Sequence, residues 1–134
     1  MSAIRAKDTS PEMTVRRSLH ADGFRFRIHS RALLGKPDIT LPKYHAVVFV
    51  NGCFWHGHEC SKFRWPLTRR EFWRTKIQIN RDRDARVHHL LREDGWRIAT
   101  VWECALRSAT LSVEAMDDLK RWIESDQQEL ELAE

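Results

Sequence analysis

The sequence predicts an α/β fold: a mixed β-sheet covered by helices on both faces. Strand-like and helix-like segments follow one another in the order α-β-β-β-loop-α-β-α, without repeats or an internal linker. The most apolar run, His45–Val50, has strand length and reads as a central strand buried on both faces. Capping signals and glycines bracket the helical segments on either side of it.

Thr9-Ser-Pro-Glu12 opens the first helix, with Thr9 as cap, Glu12 closing a capping box and Pro11 in the first turn. That helix runs to Asp22 and stops at Gly23. Phe24–His29 alternates and predicts a strand, residues 31–37 form a loop, and Asp38–Leu41 is a short strand. Pro42-Lys-Tyr44 turns the chain into His45–Val50. From Asn51 to Pro66 the chain is rich in Gly, Cys, His and Trp and lacks usable periodicity. Thr68 with Glu71 suggests a second capping box, opening a long polar helix to Glu93 that Gly95 ends. Trp96–Trp102 reads as a buried strand and Ser112–Ser125 as a last helix. Residues 126–134 form an acidic tail expected to fray.

The 134 residues fit one domain, and 42% apolar content supports a core without disulfide staples. Three Cys, an odd number, argue against a disulfide framework and for a reducing compartment. The longest uncharged apolar run, Ala46–Val50, is far below the ~20 residues of a membrane span. No charged-then-apolar leader stands at the amino terminus, so secretion is not expected. The net charge of +4 hides a sharper pattern. Residues 1–37 carry eight Lys/Arg against three Asp/Glu, residues 61–92 ten against three, and residues 113–134 two against eight. Two basic segments on one small domain point to a polyanion, and nucleic acid fits better than a membrane because no apolar stripe accompanies them.

The strongest local signal is Asn51-Gly-Cys-Phe-Trp-His-Gly-His-Glu-Cys60, with Cys104 following the next strand. Thiolate sulfur and imidazole nitrogen suit zinc, and a structural site takes four such ligands. Cys53, His58, Cys60 and Cys104 would make a Cys3His site that pins the loop to the end of the Trp96–Trp102 strand. Spacing alone does not choose between His56 and His58, which diverge only if Gly57 makes a turn.

Asp38 stands on a short strand after Gly35-Lys-Pro37. Nucleases of the PD-(D/E)xK type hold Mg2+ with such an aspartate and a second acid from the neighbouring strand. Here Phe49 and Asn51 occupy the places of that acid and of the lysine. Asp38 with a backbone carbonyl near Val50 could still hold a hard cation that keeps several waters. A strand-edge carboxylate accounts for Asp38 equally well, and capping accounts for Glu12 unless the first helix starts beside Asp38.

Aromatic residues interleave with cations after the Cys/His loop. Trp65 and Trp73 flank Lys62, Arg64, Arg69, Arg70, Arg74 and Lys76. Such a pattern suits phosphate contacts combined with stacking or wedging at bases. Phe54 and Trp55 are awkward as core and read as a DNA wedge, whereas Phe72, Trp96, Trp102 and Trp122 read as core.

Together these segments resemble the very-short-patch repair (Vsr) endonucleases. The resemblance rests on Lys7–Glu12, Gly35–Asp38, Val47–Cys60, Thr68–Trp73, Asn80–Asp84 and Val101–Arg107. It implies a restriction-endonuclease-like fold and a Mg2+-dependent nick in duplex DNA, 5′ to the thymine of a T:G mismatch left by deaminated 5-methylcytosine. It implies that Asp38 binds Mg2+, with the Val50 backbone as a further ligand, that His56 is catalytic and that Glu12 supports it. It assigns zinc to Cys53, His58, Cys60 and Cys104, and the wedge to Phe54, Trp55 and Trp73. Asn51, Arg69 and Arg70 are further candidate DNA contacts, and Asp84 is placed to orient His56 or a water. A bacterial cytoplasmic protein working on the nucleoid is implied, and contact with mismatch-repair ATPases is suggested. A single nick needs one active site, so a monomer is expected.

One departure bears on the chemistry. The family's best-known members carry Thr-His where this chain has Val50-Asn51. A backbone carbonyl is indifferent to its side chain, but an amide cannot exchange a proton near neutral pH as an imidazole can. Two rival readings follow: a zinc-stabilised DNA-binding module without catalysis, and a nicking nuclease of the same fold with another specificity. The acidic tail is expected to face away from DNA, so trimming after Ser125 should leave nicking intact.

Overall fold

The computed structural model describes residues 9–61 and 63–134. Thr9 caps helix α1 (Ser10–Ala21) by accepting the Glu12 N–H at 3.4 Å. Gly23 ends that helix at φ +82°, in the left-handed region where glycine has no Cβ to clash. The Phe24 N–H then closes on the Leu19 carbonyl at 3.0 Å.

Five strands follow: β1 (Arg27–Ile28), β2 (Ile39–Leu41), β3 (Ala46–Asn51), β4 (Arg97–Trp102) and β5 (Glu129–Leu132). They lie in the order β1-β2-β3-β4-β5. The first two pairings are antiparallel, with Ile39 opposite Val48, and the last two are parallel, with Val47 opposite Ile98. The sheet is therefore mixed, and β3 is central as its unbroken apolar run requires. Helix α2 (Arg70–Glu93) links β3 to β4, and helix α3 (Ala109–Ile123) links β4 to β5. Each parallel pair thus has a helix as its connection.

Alternation along the strands sends side chains to two cores. Val48, Ala99 and Val101 pack with Val15 and Leu19 of α1 and with Leu119, Trp122 and Ile123 of α3. Val47 and Ile98 face the other way, onto Val87 and Leu91 of α2. Helices on both faces of a mixed sheet, as expected, make the restriction-endonuclease-like architecture. Truncating a side chain such as Leu119, which is fully buried, to alanine costs about 2–5 kcal/mol in a core of this kind.

Three sequence expectations change. The strand predicted over Phe24–His29 pairs only at Arg27–Ile28, because Phe24 and Phe26 turn into the α1–α3 core. The second capping box does not form. Arg69 adopts φ +55°, so α2 starts beyond Thr68, without a side-chain cap, and Glu71 sits near Arg74. The tail does not fray: residues 129–132 add β5 in parallel to β4, with Leu130 and Leu132 turned to the core. Among the described residues, no helix is long and apolar enough to cross a membrane.

Candidate active site and metal centre

The register between β1 and β2 decides the first cluster. Ile28 lies opposite Ile39, so the next residue out, His29, meets Asp38, and its N–H donates to the Asp38 carbonyl at 3.3 Å. Asp38 is fixed from the other side: its Oδ2 accepts the Val50 N–H at 2.7 Å. The first turn of α1 adds Glu12, which is only 3% exposed. Its carboxylate accepts Arg16 at 3.0 Å and lies 3.6 Å from His29 Nε2. Glu12, His29 and Asp38 each offer a ligand atom, all within 4.8 Å of one another. Capping therefore does not account for the Glu12 carboxylate. Its backbone N–H meets the cap, and its side chain turns inward.

Burial pushes the Asp38 carboxyl up to about 7, with the nearby Glu12 carboxylate adding to the rise. The Val50 N–H and His29 oppose it. Two carboxylates crowded out of water favour either a shared proton or a cation between them. Two carboxylates and an imidazole offering one ligand atom each suit a divalent cation. His29 was not singled out in the sequence. The signal that finds it is hairpin register, since β1 and β2 bring residues 29 and 38 together across a loop.

The Cys/His loop is built from successive turns. Gly57 N–H donates to the Phe54 carbonyl at 3.1 Å and His58 N–H to the Cys53 carbonyl at 2.9 Å. Gly57 has φ +65°, and a Cβ there would stand 2.5 Å from Ile77 Cγ2. This turn separates the two histidines. His56 Nδ1 lies 2.5 Å from Asp84 Oδ2 on α2, while His58 turns to Cys104, with Nδ1 3.8 Å from the sulfur.

Cys53, His58, Cys60 and Cys104 bring one donor each within 4.8 Å of one another. Cys53 and Cys104 are buried, and burial raises both thiols, Cys53 to about 12. Three clustered thiols beside an imidazole are a poor apolar core and a good soft-donor set for a metal. Glu103 Oε1 accepts the Cys53 N–H at 3.1 Å, and the Trp102 ring stacks on His58 at 4.2 Å and 8°.

Aromatic side chains from loop and helix meet beside this centre. Phe54, Trp55 and Trp73 touch pairwise, with ring centroids 5.2–5.6 Å apart. All three are half-buried. Asn80 of α2, itself buried, donates to the Trp55 carbonyl at 2.8 Å and accepts Arg83 at 2.9 Å. Asn80 thus ties the aromatic loop to the helix. Phe72, expected in the core, is 46% exposed with the Arg69 guanidinium 4.2 Å from its ring centroid. It lies on the solvent face of the first turn of α2, beside exposed Arg70. Trp122 is core as expected, and Trp96 stacks on His45. Asn51 is buried at the end of β3, and among the described residues its amide makes no hydrogen bond. It lines a cavity of about 350 Å³ with Asp84, His88, Thr100 and Trp102. Lys62 lies outside the described residues.

Comparison with known proteins decides the relationship. Residues 1–62 match the family model for the DNA mismatch endonuclease Vsr. The chain is 44% identical over 125 residues to DNA mismatch endonuclease Vsr of Escherichia coli, covering 92% of this chain and 80% of that protein. It belongs to the Vsr endonuclease family. Two further relatives carry the name type II nicking enzyme. V.XorIIP of Xanthomonas oryzae is 48% identical over 106 residues, covering 79% of this chain and 78% of its own. V.NmeAIP of Neisseria meningitidis is 42% identical over 123 residues, covering 92% and 88%. As a Vsr-family member the chain is a DNA endonuclease.

Proposed function

We propose that this protein nicks one strand of duplex DNA 5′ to the thymine of a T:G mismatch, in a Mg2+-dependent reaction. The observation that carries the reading is the Cys/His loop, which holds both a carboxylate-backed histidine and an aromatic cluster. Base recognition and phosphate chemistry are thereby joined on one short segment.

Asp38 and Glu12 would hold the Mg2+, with the Val50 carbonyl as a further oxygen and His29 beside them. A divalent cation there supplies charge against the scissile phosphate and lowers the pKa of a bound water. The Val50 N–H fixes the Asp38 carboxylate, so its other oxygen keeps one direction. Asp84 holds His56 through Nδ1, which leaves Nε2 to accept a proton from water or to give one to the leaving oxygen. Asn51 lacks that proton chemistry, so its proposed role is to hydrogen-bond the DNA backbone. Zinc on Cys53, His58, Cys60 and Cys104 would be architectural, holding His56 and the wedge in one frame.

Phe54, Trp55 and Trp73 would insert beside the mismatch, where unstacking costs least, on the order of a few kcal/mol. Arg69 and Arg70, at the start of α2, would contact phosphates, which position the duplex without reading its sequence. One centre per chain suffices for one nick, so the proposed working unit is a monomer on the bacterial nucleoid. Contact with mismatch-repair ATPases belongs to the same proposal.

A second reading keeps the nick and changes the target, supported by the relatives named as type II nicking enzymes. A nicking assay on T:G and fully paired duplexes separates the two. Nicking confined to T:G supports the first reading, and equal nicking of both duplexes supports the second. Binding of T:G without any cleavage would return the protein to a zinc-stabilised binding module.

A further inference from the structure

The segment after α3 reaches back to the candidate zinc centre, touching one donor, Cys104, directly and the neighbours of two others, Cys60 and His58. Glu134 Oε1 accepts the Ser61 N–H at 2.5 Å and its Oε2 accepts the Ser61 hydroxyl at 2.7 Å. Ser61 directly follows Cys60. Arg107 closes the group, donating to Ser61 Oγ at 2.7 Å and pairing with Glu134. The Glu134 N–H points at Cys104 Sγ from 3.4 Å. Upstream, Glu131 accepts the Trp102 indole N–H at 2.7 Å, and the Trp102 ring stacks on His58. Leu132, buried and paired with Val101, anchors the strand between these contacts.

We propose that Glu134 is a positioning residue for the Cys/His loop. With Ser61 and Arg107 it clasps the loop to β4 and β5. The clasp sets how firmly the four donors hold their ion and how firmly His56 and the aromatic cluster are presented. An exposed ion pair alone contributes little. Glu134 differs because one carboxylate takes two donors from a single residue while its own N–H meets a candidate ligand sulfur. Glu134 as a residue stands exposed at the surface, and what sets it apart is the number of partners its carboxylate engages. Hydrogen bonds to ligand atoms and their neighbours orient a metal site and tune its affinity. Nothing in the acidic composition of residues 126–134 suggested this, since the feature lies in where β5 delivers its last residues.

The metal arm of the proposal rests on the zinc reading, and the loop arm does not. The test uses the full chain as wild type, Glu134→Ala and Glu134→Gln. In metal-free protein, the rate at which a water-soluble aromatic disulfide modifies the three thiols is followed. The clasp predicts roughly tenfold faster modification in Glu134→Ala and a smaller increase in Glu134→Gln, which keeps one acceptor oxygen for Ser61 but loses the second and the charge facing Arg107. In protein loaded with Zn2+, competition with a chromophoric chelator should show affinity lowered by about tenfold. In protein loaded with Co2+, the sulfur-to-metal charge-transfer band should shift, a change that loss of global stability alone does not produce. Should the alanine variant fail to fold, the glutamine variant decides. Thiol modification and Co2+ spectrum both unchanged from wild type overturn the proposal. A wild type that takes up neither metal removes the zinc reading, and the thiol rates then decide the clasp by themselves.

Discussion

His56 Nδ1 stands 2.5 Å from Asp84 Oδ2, joining the Cys/His loop to the middle of α2 across 28 positions of sequence. A carboxylate in that place holds the imidazole in the tautomer that bears its proton on Nδ1, and steadies the imidazolium once it forms. Asp84→Asn should therefore lower kcat by about 10²–10⁴-fold, the range of one general acid–base contribution, with DNA affinity little changed. Single-turnover nicking beside a binding isotherm checks this, and an unaltered kcat would remove Asp84 from the mechanism.

Asp38 makes the metal-free fold pH-dependent. Its carboxyl is raised from 3.8 to about 7, so between these values the folded chain keeps a proton that the unfolded chain has lost. Its contribution to stability is full below pH 3.8 and is lost as pH rises through about 7. Urea midpoints for wild type minus Asp38→Asn, in chelator, should fall across that window and level off above it. A cation must displace the same proton, so Mg2+ affinity should weaken about tenfold per pH unit below 7.

Gly57→Ala tests the turn that parts the two histidines. At φ +65° the new Cβ is strained and meets Ile77 at 2.5 Å, so a loss of about 1–3 kcal/mol is expected. Thermal unfolding measures it. The loss of nicking should exceed what the unfolded fraction explains, because His56 moves with the turn.

Asn80→Leu removes the amide that holds the Trp55 carbonyl at 2.8 Å and leaves that carbonyl and Arg83 without their partner. Stability should fall by about 1–3 kcal/mol. Preference for T:G over paired DNA in a competition assay should also shrink, since the aromatic cluster loses its anchor.

Trimming after Ser125, expected to be silent for a frayed acidic tail, should instead damage the protein. It removes β5, the Leu132 anchor and the Glu134 contacts. Loss of cooperative thermal unfolding, or a fall in its midpoint of many degrees, is the expected outcome.

Much of the architecture is legible in the residues themselves. Val47-Val48-Phe49-Val50 can sit only in a strand covered on both sides, and Gly23 and Gly95 mark helix ends that the backbone honours at φ +82° and +88°. The three Cys were also legible as soft donors, but spacing did not choose between His56 and His58, which the turn at Gly57 parts. What escaped was what depends on pairing. His29 joins the acids only through the β1–β2 register, and Glu129–Leu132 becomes a strand because an exposed edge of β4 receives it. Its Leu130/Leu132 alternation was present but was outweighed by the surrounding charge. Arg69 in the left-handed region likewise defeated a capping signal that was correct in its residue types.

The most direct measurement compares nicking of a T:G duplex and its fully paired counterpart by wild type and Asp38→Ala, each with Mg2+ and with chelator. The account predicts a single nick 5′ to the mismatched thymine by wild type with Mg2+ alone, and none by Asp38→Ala. Nicking that persists in Asp38→Ala, or that is as fast on the paired duplex, would contradict it.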